Sequence, residues 1–523
     1  METSMREFTM TELILLCTVL SVMPSLYYSV KVQTQCGPVD GIQTDGVNSF
    51  RGIPYALPPV GRLRWKPPVE LSPEKGNCWN GTLLAHKYGN TCFQISFTDP
   101  KRQQLLGSED CLYLNVISPS LNPTALKPVM VWIHGGYLQC LNGNWPLYMP
   151  TEKLAKETDT VIVGFNYRLH AFGFMALQVL ADQSPTNTSG NYGFMDMIAV
   201  LKWVQSNIKN FGGDPNRVTV FGQSSGGTSI FALLSSPFCK GLFQRAWMLS
   251  GSPILNKTAN DAFKDNEIFL KNTNCTDINC LYSLSSTEVT FAVPWTSYPY
   301  WAMTDQGDLP RNGYFDGALA IVDGSCANEI DSDPTDKSIN NWTWTQYEDH
   351  VKQYLGTFGG NIANIALKLY PPNLISPEFQ FTSMASDLRM NCPTDVLSLH
   401  AASAFTSPVY RYVVTSTPSS PVFAVGIPFP ATYSFHLWDV FAFFGFIPDY
   451  IKHPTDFNIE WQRNVKQEVM TFVRTGKPST FSWKPFPFVT ASLSHTTEAI
   501  TAYHPVQCDF WLKNGFFDYA WIN

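Results

Sequence analysis

The run VTVFGQSSGG occupies residues 218–227 and holds a serine with a glycine two positions to either side. A short apolar strand pattern leads into it, and a helical stretch over residues 228–234 follows. So tight a strand-to-helix turn favours residues without side chains at Gly222 and Gly226. The bend predicts that Ser224 Oγ stands clear of the sheet at the N-terminal end of the helix. Free N–H groups and the helix dipole favour negative charge there, which makes Ser224 a candidate nucleophile.

The five-residue pattern also occurs in ordinary Gly/Ser turns, so the surrounding elements matter. Apolar runs at residues 129–133 (VMVWI) and 161–165 (VIVGF) end in polar loops and indicate buried strands. Between Met195 and Phe211, apolar residues recur at steps of three and four, as in a helix packed on a sheet. This alternation predicts an α/β fold, a central sheet covered by crossover helices. No repeat or shift in composition divides the chain.

Several sequence blocks between about Gly41 and Trp511 share one family pattern. In chain order they are FRGIPYA (50–56), PPVG (58–61), SEDCLYLN (108–115), NYR (166–168), GNYG (190–193), NI (207–208) and FGGDP (211–215). In these blocks the chain resembles the cholinesterase/carboxylesterase family, the type-B carboxylesterases of the α/β-hydrolase fold. The resemblance implies a mostly parallel central sheet flanked by helices in a single large domain.

The resemblance also implies two partners for the serine. The family's acid lies in a stretch like GSCANE (324–329), which makes Glu329 the candidate; the alternative is an acid on a solvated surface loop. The family's histidine precedes an acid by three residues and an aromatic–glycine pair further on, and His436 has both. His453 lacks that pair and is interpreted as a surface histidine. In such a triad His436 accepts the serine proton, and Glu329 orients the imidazole and stabilises its charged form.

The oxyanion loop departs from the family pattern. The family has three consecutive glycines after the strand, whereas residues 134–137 are HGGY. The resemblance implies that the N–H groups of Gly136, Tyr137 and Ser225 hold the oxyanion, although the Cβ of Tyr137 narrows the conformations available. Gln223 replaces the family's glutamate beside the nucleophile and removes one negative charge. Loss of one oxyanion donor typically costs about 10²–10³ in rate, so the departures predict a weakened enzyme.

The cysteines also fit the family pattern. The resemblance implies three disulfide bridges, Cys92–Cys111, Cys275–Cys280 and Cys392–Cys508. With Cys17 assigned to the N-terminal segment, five others remain: Cys36, Cys78, Cys140, Cys239 and Cys326. Because five is odd, at least one is free or bridges between chains. A pairing of Cys36 with Cys78 stays open. The family also implies two structural ion pairs, Arg64–Glu109 and Arg168–Asp196.

The composition and the start of the chain indicate where the protein acts. Hydrophobic residues make up 44% and charged residues 15%, enough apolar surface for a large core. A net charge of −7 provides no basic excess for binding nucleic acid.

The apolar run from Leu13 to about Leu26 predicts a signal peptide over residues 1–28, before a carboxylesterase domain over residues 29–523. A retained signal anchor is the alternative, and no later run is long and apolar enough to span a bilayer.

Together with the signal-like start, N-x-S/T sequons predict a secreted, disulfide-bonded glycoprotein. The five sequons are at Asn80, Asn187, Asn256, Asn274 and Asn341.

These features predict a secreted serine carboxylic ester hydrolase that cleaves a small-molecule ester through an acyl-enzyme. No cofactor or metal is implied, since no cluster of His, Cys and Asp has ligand spacing. Cholinesterases hold a quaternary ammonium with a tryptophan that is missing here between Phe93 and Asp110, which argues against choline esters. Amide or thioester cleavage stays open. The alternative is a catalytically weak or inactive adhesion or storage protein, favoured by the altered oxyanion loop and opposed by the complete triad.

Overall fold

The computed structural model describes residues 28–99, 101, 103–251, 258–293, 320–423 and 429–516. Its strands in this part of the chain are β1 (Tyr28–Thr34), β2 (Gly37–Thr44), β3 (Val47–Pro54), β4 (Leu83–Leu84), β5 (Gln94–Ile95), β6 (Leu105–Leu106), β7 (Tyr113–Ser118), β8 (Lys127–Ile133), β9 (Val161–Phe165), β10 (Gly213–Gln223), β11 (Arg245–Leu249), β12 (Ala320–Cys326), β13 (Val409–Val414), β14 (Thr490–Leu493) and β15 (Thr497–Ile500).

The α-helices in the described residues are Glu152–Thr158, His170–Phe174, Gln178–Ala181, Tyr192–Asn207, Ser225–Ser235, Ala259–Asp265, Glu267–Thr273, Ile278–Ser283, Ser286–Phe291, Trp344–Leu355, Ile362–Leu369, Pro377–Ser386, Cys392–Ala404, Trp438–Phe444, Ile447–Tyr450, Asp456–Thr475 and Pro505–Lys513. Short 3-10 turns include Ile208–Phe211 and Glu329–Ser332. None of the helices described is long and apolar enough to cross a membrane.

The large sheet has the strand order β1-β2-β3-β7-β9-β8-β10-β11-β12-β13-β14-β15, with β4 beside β2. Neighbouring strands from β9 to β14 in this order are parallel, and the pairs towards both ends are antiparallel. The sheet is therefore mostly parallel in its centre, as predicted. Because the carboxyl ends of parallel strands share one edge, loops that follow β8, β10, β12 and β13 come together there.

The central strands are apolar on both faces because helices cover both sides of the sheet. Every residue of β9 and β13 is buried. Along β8, Val131 packs into one core cluster and the next residue, Trp132, into another, since successive strand side chains point to opposite faces. A continuous apolar run is the sequence pattern that such a strand requires.

Element bounds differ slightly from the predictions. β9 has the predicted bounds, whereas β8 begins at Lys127 and β10 at Gly213, before their apolar runs. These two residues pair with each other, and backbone pairing does not depend on apolar side chains. The helix predicted between Met195 and Phe211 begins earlier, at Tyr192, and its last turn, Ile208–Phe211, is a 3-10 helix.

The structure contains four disulfide bridges: Cys36–Cys78, Cys92–Cys111, Cys275–Cys280 and Cys392–Cys508. The other described cysteines, Cys140, Cys239 and Cys326, are buried thiols. Both ion pairs implied by the resemblance are present, with shortest N–O distances of 2.5 Å for Arg64–Glu109 and 2.7 Å for Arg168–Asp196.

Candidate active site

Ser224 sits on a sharp turn between β10 and the helix Ser225–Ser235. Its backbone φ of 57° and ψ of −127° are strained for a residue with a side chain. A Cβ at Gly222 would lie 2.7 Å from the Gly226 carbonyl oxygen, and a Cβ at Gly226 would lie 2.1 Å from the Ile133 carbonyl oxygen. Both positions therefore require glycine, because the turn packs directly against the end of β8.

The loop after β8 lies against this turn. A Cβ at Gly135 would lie 3.0 Å from Ser224 Cβ, and the Gly135 N–H donates to a buried tyrosine hydroxyl. The Leu138 N–H donates to Ser225 Oγ at 3.1 Å. These two N–H groups are committed to protein acceptors. The N–H groups of residues 136–137, which lie between them, are the loop's candidate oxyanion donors.

Tyr137 has a φ of 59°, which glycine adopts more easily than any residue with a Cβ. The left-handed conformation costs an L-residue roughly 1–2 kcal/mol, so the loop carries strain that a third glycine avoids. Nearby, burial lowers the pKa of His134 to about 4. Its ring stacks on Tyr167 with centroids 4.3 Å apart and is neutral at physiological pH. His134 therefore brings no positive charge to the loop.

His436 and Glu329 meet at the same edge of the sheet. Ser224 follows β10, Glu329 follows β12, and His436 lies beyond β13. His436 Nδ1 is 2.5 Å from Glu329 Oε2, and Glu329 Oε1 accepts the Cys326 N–H at 2.6 Å. The Glu329 side chain is only 1% exposed, so the solvated-loop alternative is wrong. Because a carboxylate only accepts, Nδ1 carries the ring proton and Nε2 keeps the lone pair.

The Gln223 side chain contacts His436 Nε2, the nitrogen that carries this lone pair. Its side-chain amide nitrogen lies 2.8 Å from His436 Nε2. The Tyr148 hydroxyl accepts the Gly135 N–H at 2.9 Å and donates to Gln223 Oε1 at 2.6 Å. No hydrogen bond joins Ser224 Oγ to His436 within the residues that the structure describes. The family resemblance implied only that Gln223 replaces a glutamate; no motif pointed to Tyr148 or to this contact.

A second buried carboxyl group, Asp439, lies near the histidine. Burial raises its pKa to about 6, and the neighbouring Glu329 charge acts in the same direction. The Tyr412 hydroxyl donates to Asp439 Oδ2 at 2.8 Å. The protonated form of Asp439 is therefore favoured more than in an exposed aspartate, because burial disfavours the charged form and a second charge beside Glu329 adds to that cost.

Ser224 and His436 line one cleft, which encloses about 660 Å³ including space open to solvent. Much of its remaining wall is apolar or aromatic, formed by Phe97, Leu141, Trp145, Leu437, Phe441 and Tyr450. Asp333 is the charged group on the wall, and neither Lys nor Arg is among its described lining residues. A wall of this kind favours apolar, uncharged groups.

Other predicted residues lie away from the cleft. Four of the sequon asparagines are exposed: Asn80, Asn187, Asn274 and Asn341. Asn256 and residues 1–27 of the predicted signal peptide lie outside the described residues. His453 is exposed, as interpreted from the sequence. In the described ranges, no group of three or more His, Cys, Asp or Glu side chains could hold a metal ion.

Comparison with known proteins identifies the family of the chain. The family model described as "Carboxylesterase family" matches residues 28–307, more than half of the chain. The chain belongs to the carboxylesterase family. The family resemblance predicted from the sequence is therefore confirmed.

Curated relatives match parts of the chain. Neurotactin of Drosophila melanogaster is 34% identical over 387 residues, which are 69% of this chain and 44% of neurotactin. Para-nitrobenzyl esterase of Bacillus subtilis (strain 168) is 47% identical over 227 residues, which are 42% of this chain and 43% of that enzyme. The alignments thus span less than half the length of these relatives.

Solved structures confirm the α/β-hydrolase fold of this carboxylesterase-family chain. A thermophilic PNB esterase superposes with a TM-score of 0.74 at 29% sequence identity. The match covers 92% of this chain and 99% of the esterase chain.

Proposed function

We propose that this chain is a secreted serine carboxylic ester hydrolase with Ser224 as nucleophile, His436 as general base and Glu329 as the orienting acid. The observation that carries the proposal is the 2.5 Å hydrogen bond between His436 Nδ1 and buried Glu329, in a cleft whose wall also holds Ser224. A histidine held in one tautomer by a carboxylate beside an elbow serine is the arrangement that nucleophilic ester cleavage needs.

In the first half-reaction, Ser224 Oγ attacks the ester carbonyl carbon while its proton passes to His436 Nε2. The carbonyl π electrons move onto oxygen, and the oxyanion accepts hydrogen bonds from the Gly136, Tyr137 and Ser225 N–H groups. Collapse of the intermediate expels the alkoxide, which takes the proton from His436. Water, deprotonated by the same nitrogen, then attacks the acyl carbon; Ser224 Oγ leaves, takes the proton back from His436, and the acid is released.

The cleft supports an uncharged ester with apolar or aromatic groups as substrate, because its described wall is mostly aromatic and aliphatic. Neither lysine nor arginine is among the cleft's described lining residues to hold an anionic ester, and the Asp333 carboxylate on the wall is itself paired with Lys337 at 2.5 Å. The four disulfides and four exposed sequons support an extracellular site of action. The N-terminal apolar run supports delivery by a signal peptide.

The test uses short-chain p-nitrophenyl esters and an organophosphate label. Wild-type protein should hydrolyse the ester and take the label at Ser224, and Ser224→Ala should lose both activities. Peptide mapping by mass spectrometry locates the label. A folded wild-type protein that is as inert as Ser224→Ala would contradict the proposal.

A second candidate is a catalytically weak or inactive adhesion or storage protein. Two observations favour it. Neurotactin, which aligns over 69% of this chain, is a relative whose name states no esterase activity. Tyr137 also stands, with a φ of 59°, where the active family pattern has glycine. An inert but folded wild-type protein in the ester assay would select this candidate.

A further inference from the structure

The orientation of the Gln223 side chain follows from its neighbours. The Gly135 N–H can only donate, so the Tyr148 hydroxyl accepts it at 2.9 Å and keeps its own hydrogen for another partner. That hydrogen points to Gln223, 2.6 Å away, and the atom that receives it must be the amide oxygen. The amide nitrogen, a donor, then faces His436 Nε2 at 2.8 Å.

The histidine is oriented from its other side. Glu329 accepts a hydrogen bond from His436 Nδ1–H, so His436 Nε2 is the ring nitrogen with the free lone pair. Gly135 donates to Tyr148, Tyr148 donates to Gln223, and Gln223 donates to His436 Nε2. The last of these hydrogen bonds therefore occupies the lone pair that must accept the Ser224 proton. In this structure Gln223 Nε2 is the hydrogen-bond donor to that pair, within the described residues.

We propose that Gln223 is a positioning residue that restrains the general base, so that its amide must leave His436 before Ser224 can be deprotonated. The inference rests on the esterase function proposed above. Once Nε2 receives the serine proton, two N–H groups would face each other across a contact now 2.8 Å long. Proton transfer is therefore incompatible with the present position of the amide, and either the amide or the ring must move first.

The size of the restraint follows from the hydrogen bond that must be broken. A net hydrogen bond of ordinary strength corresponds to about a 2- to 10-fold change in an equilibrium or rate. Removing the donor should raise kcat by about that factor. KM should change less, because the restraint acts on the base and not on the bound ester.

Two substitutions remove the donor in different ways. Gln223→Met keeps the length of the side chain but has no N–H. Gln223→Glu keeps an acceptor for the Tyr148 hydroxyl and places an oxygen opposite His436, where it repels the lone pair and stabilises the protonated ring. Gln223→Met should therefore raise kcat and the rate of organophosphate labelling at Ser224, whereas Gln223→Glu should do so only at alkaline pH and should move the acidic limb of the kcat–pH profile to higher pH, because its charge also protonates His436 before attack.

The matched control is Gln178→Glu, which makes the same change of charge at an exposed helix residue. It should keep the wild-type kcat. Tyr148→Phe is a second test if the Gln223 variants do not fold. It frees the amide to turn its oxygen towards His436, so kcat should again rise. A merely structural role of Gln223 would lower kcat and the labelling rate in every one of these site variants.

The outcomes separate the two proposals. An active wild type with faster variants supports both the esterase function and the restraint. An active wild type with variants that are equal or slower overturns the restraint and leaves the esterase standing. A change in KM alone also overturns it. If the folded wild type and all folded variants are inert, the esterase proposal fails, and the restraint fails with it because it rests on that function.

Discussion

Replacing Glu329 by glutamine should trap His436 in the wrong tautomer. Glu329 accepts two hydrogen bonds, from the Cys326 N–H at 2.6 Å and from His436 Nδ1 at 2.5 Å. Glutamine can accept at one end only. The backbone N–H can only donate, so the amide oxygen must face Cys326 and the amide nitrogen must face Nδ1. The ring then keeps its lone pair at Nδ1 and its proton at Nε2, where it cannot accept from Ser224.

A tautomer error of this kind costs a serine triad about 10⁴ in kcat, close to 5.5 kcal/mol of barrier at 1.36 kcal/mol per tenfold. We expect Glu329→Gln to lose about 10³–10⁴ in kcat for a p-nitrophenyl ester. KM should change little, because Glu329 is buried behind the histidine and does not line the cleft. Organophosphate labelling at Ser224 should slow in parallel, and the melting temperature shows whether the variant is folded.

The matched control is Asp331→Asn, in the same 3-10 turn. Asp331 is buried, and one of its oxygens accepts the Thr432 and Tyr433 N–H groups at 2.6 and 2.8 Å. An asparagine keeps both bonds with its amide oxygen, so this variant should retain the wild-type kcat. A folded Glu329→Gln enzyme within tenfold of wild type would refute the assignment of Glu329 as the residue that orients His436.

Three further predictions concern the elbow, the oxyanion loop and Asp439. Gly226→Ala would place a Cβ 2.1 Å from the Ile133 carbonyl oxygen and should lose about 2–3 kcal/mol of stability. In the control Gly356→Ala the new Cβ has nothing within 4 Å, so this variant should gain up to about 1 kcal/mol. Equal melting temperatures of the two variants in calorimetry would contradict this. Tyr137→Gly should raise the turnover of a p-nitrophenyl ester, because glycine adopts the φ of 59° without strain, and unchanged turnover would contradict this. The raised pKa of Asp439, about 6, adds stability that is present below about pH 4 and is lost as the pH rises through 6. Asp439→Asn should therefore flatten the fall in melting temperature between those pH values, and an unaltered slope would count against the shift.

Much of the fold could be predicted from local patterns. The apolar run at residues 161–165 forms β9 with the predicted bounds, because a strand buried on both faces needs side chains that are apolar throughout. The start of β10 could not be predicted in this way, since Gly213 joins the sheet through backbone pairing alone. The catalytic roles of Ser224, His436 and Glu329 remain predictions that await the assays above.

The family, the α/β-hydrolase fold and the position of the serine elbow were determined by the sequence, because each leaves a local trace in residue type and spacing. The Gly-x-Ser-x-Gly run is such a trace, because side chains at its two glycines would clash with the backbone of the turn or of the adjacent strand. The contact between Gln223 and His436 joins residues 213 positions apart and depends on which way one amide faces. That direction is determined by a tyrosine hydroxyl and a backbone N–H from another loop, so only the folded chain could decide it.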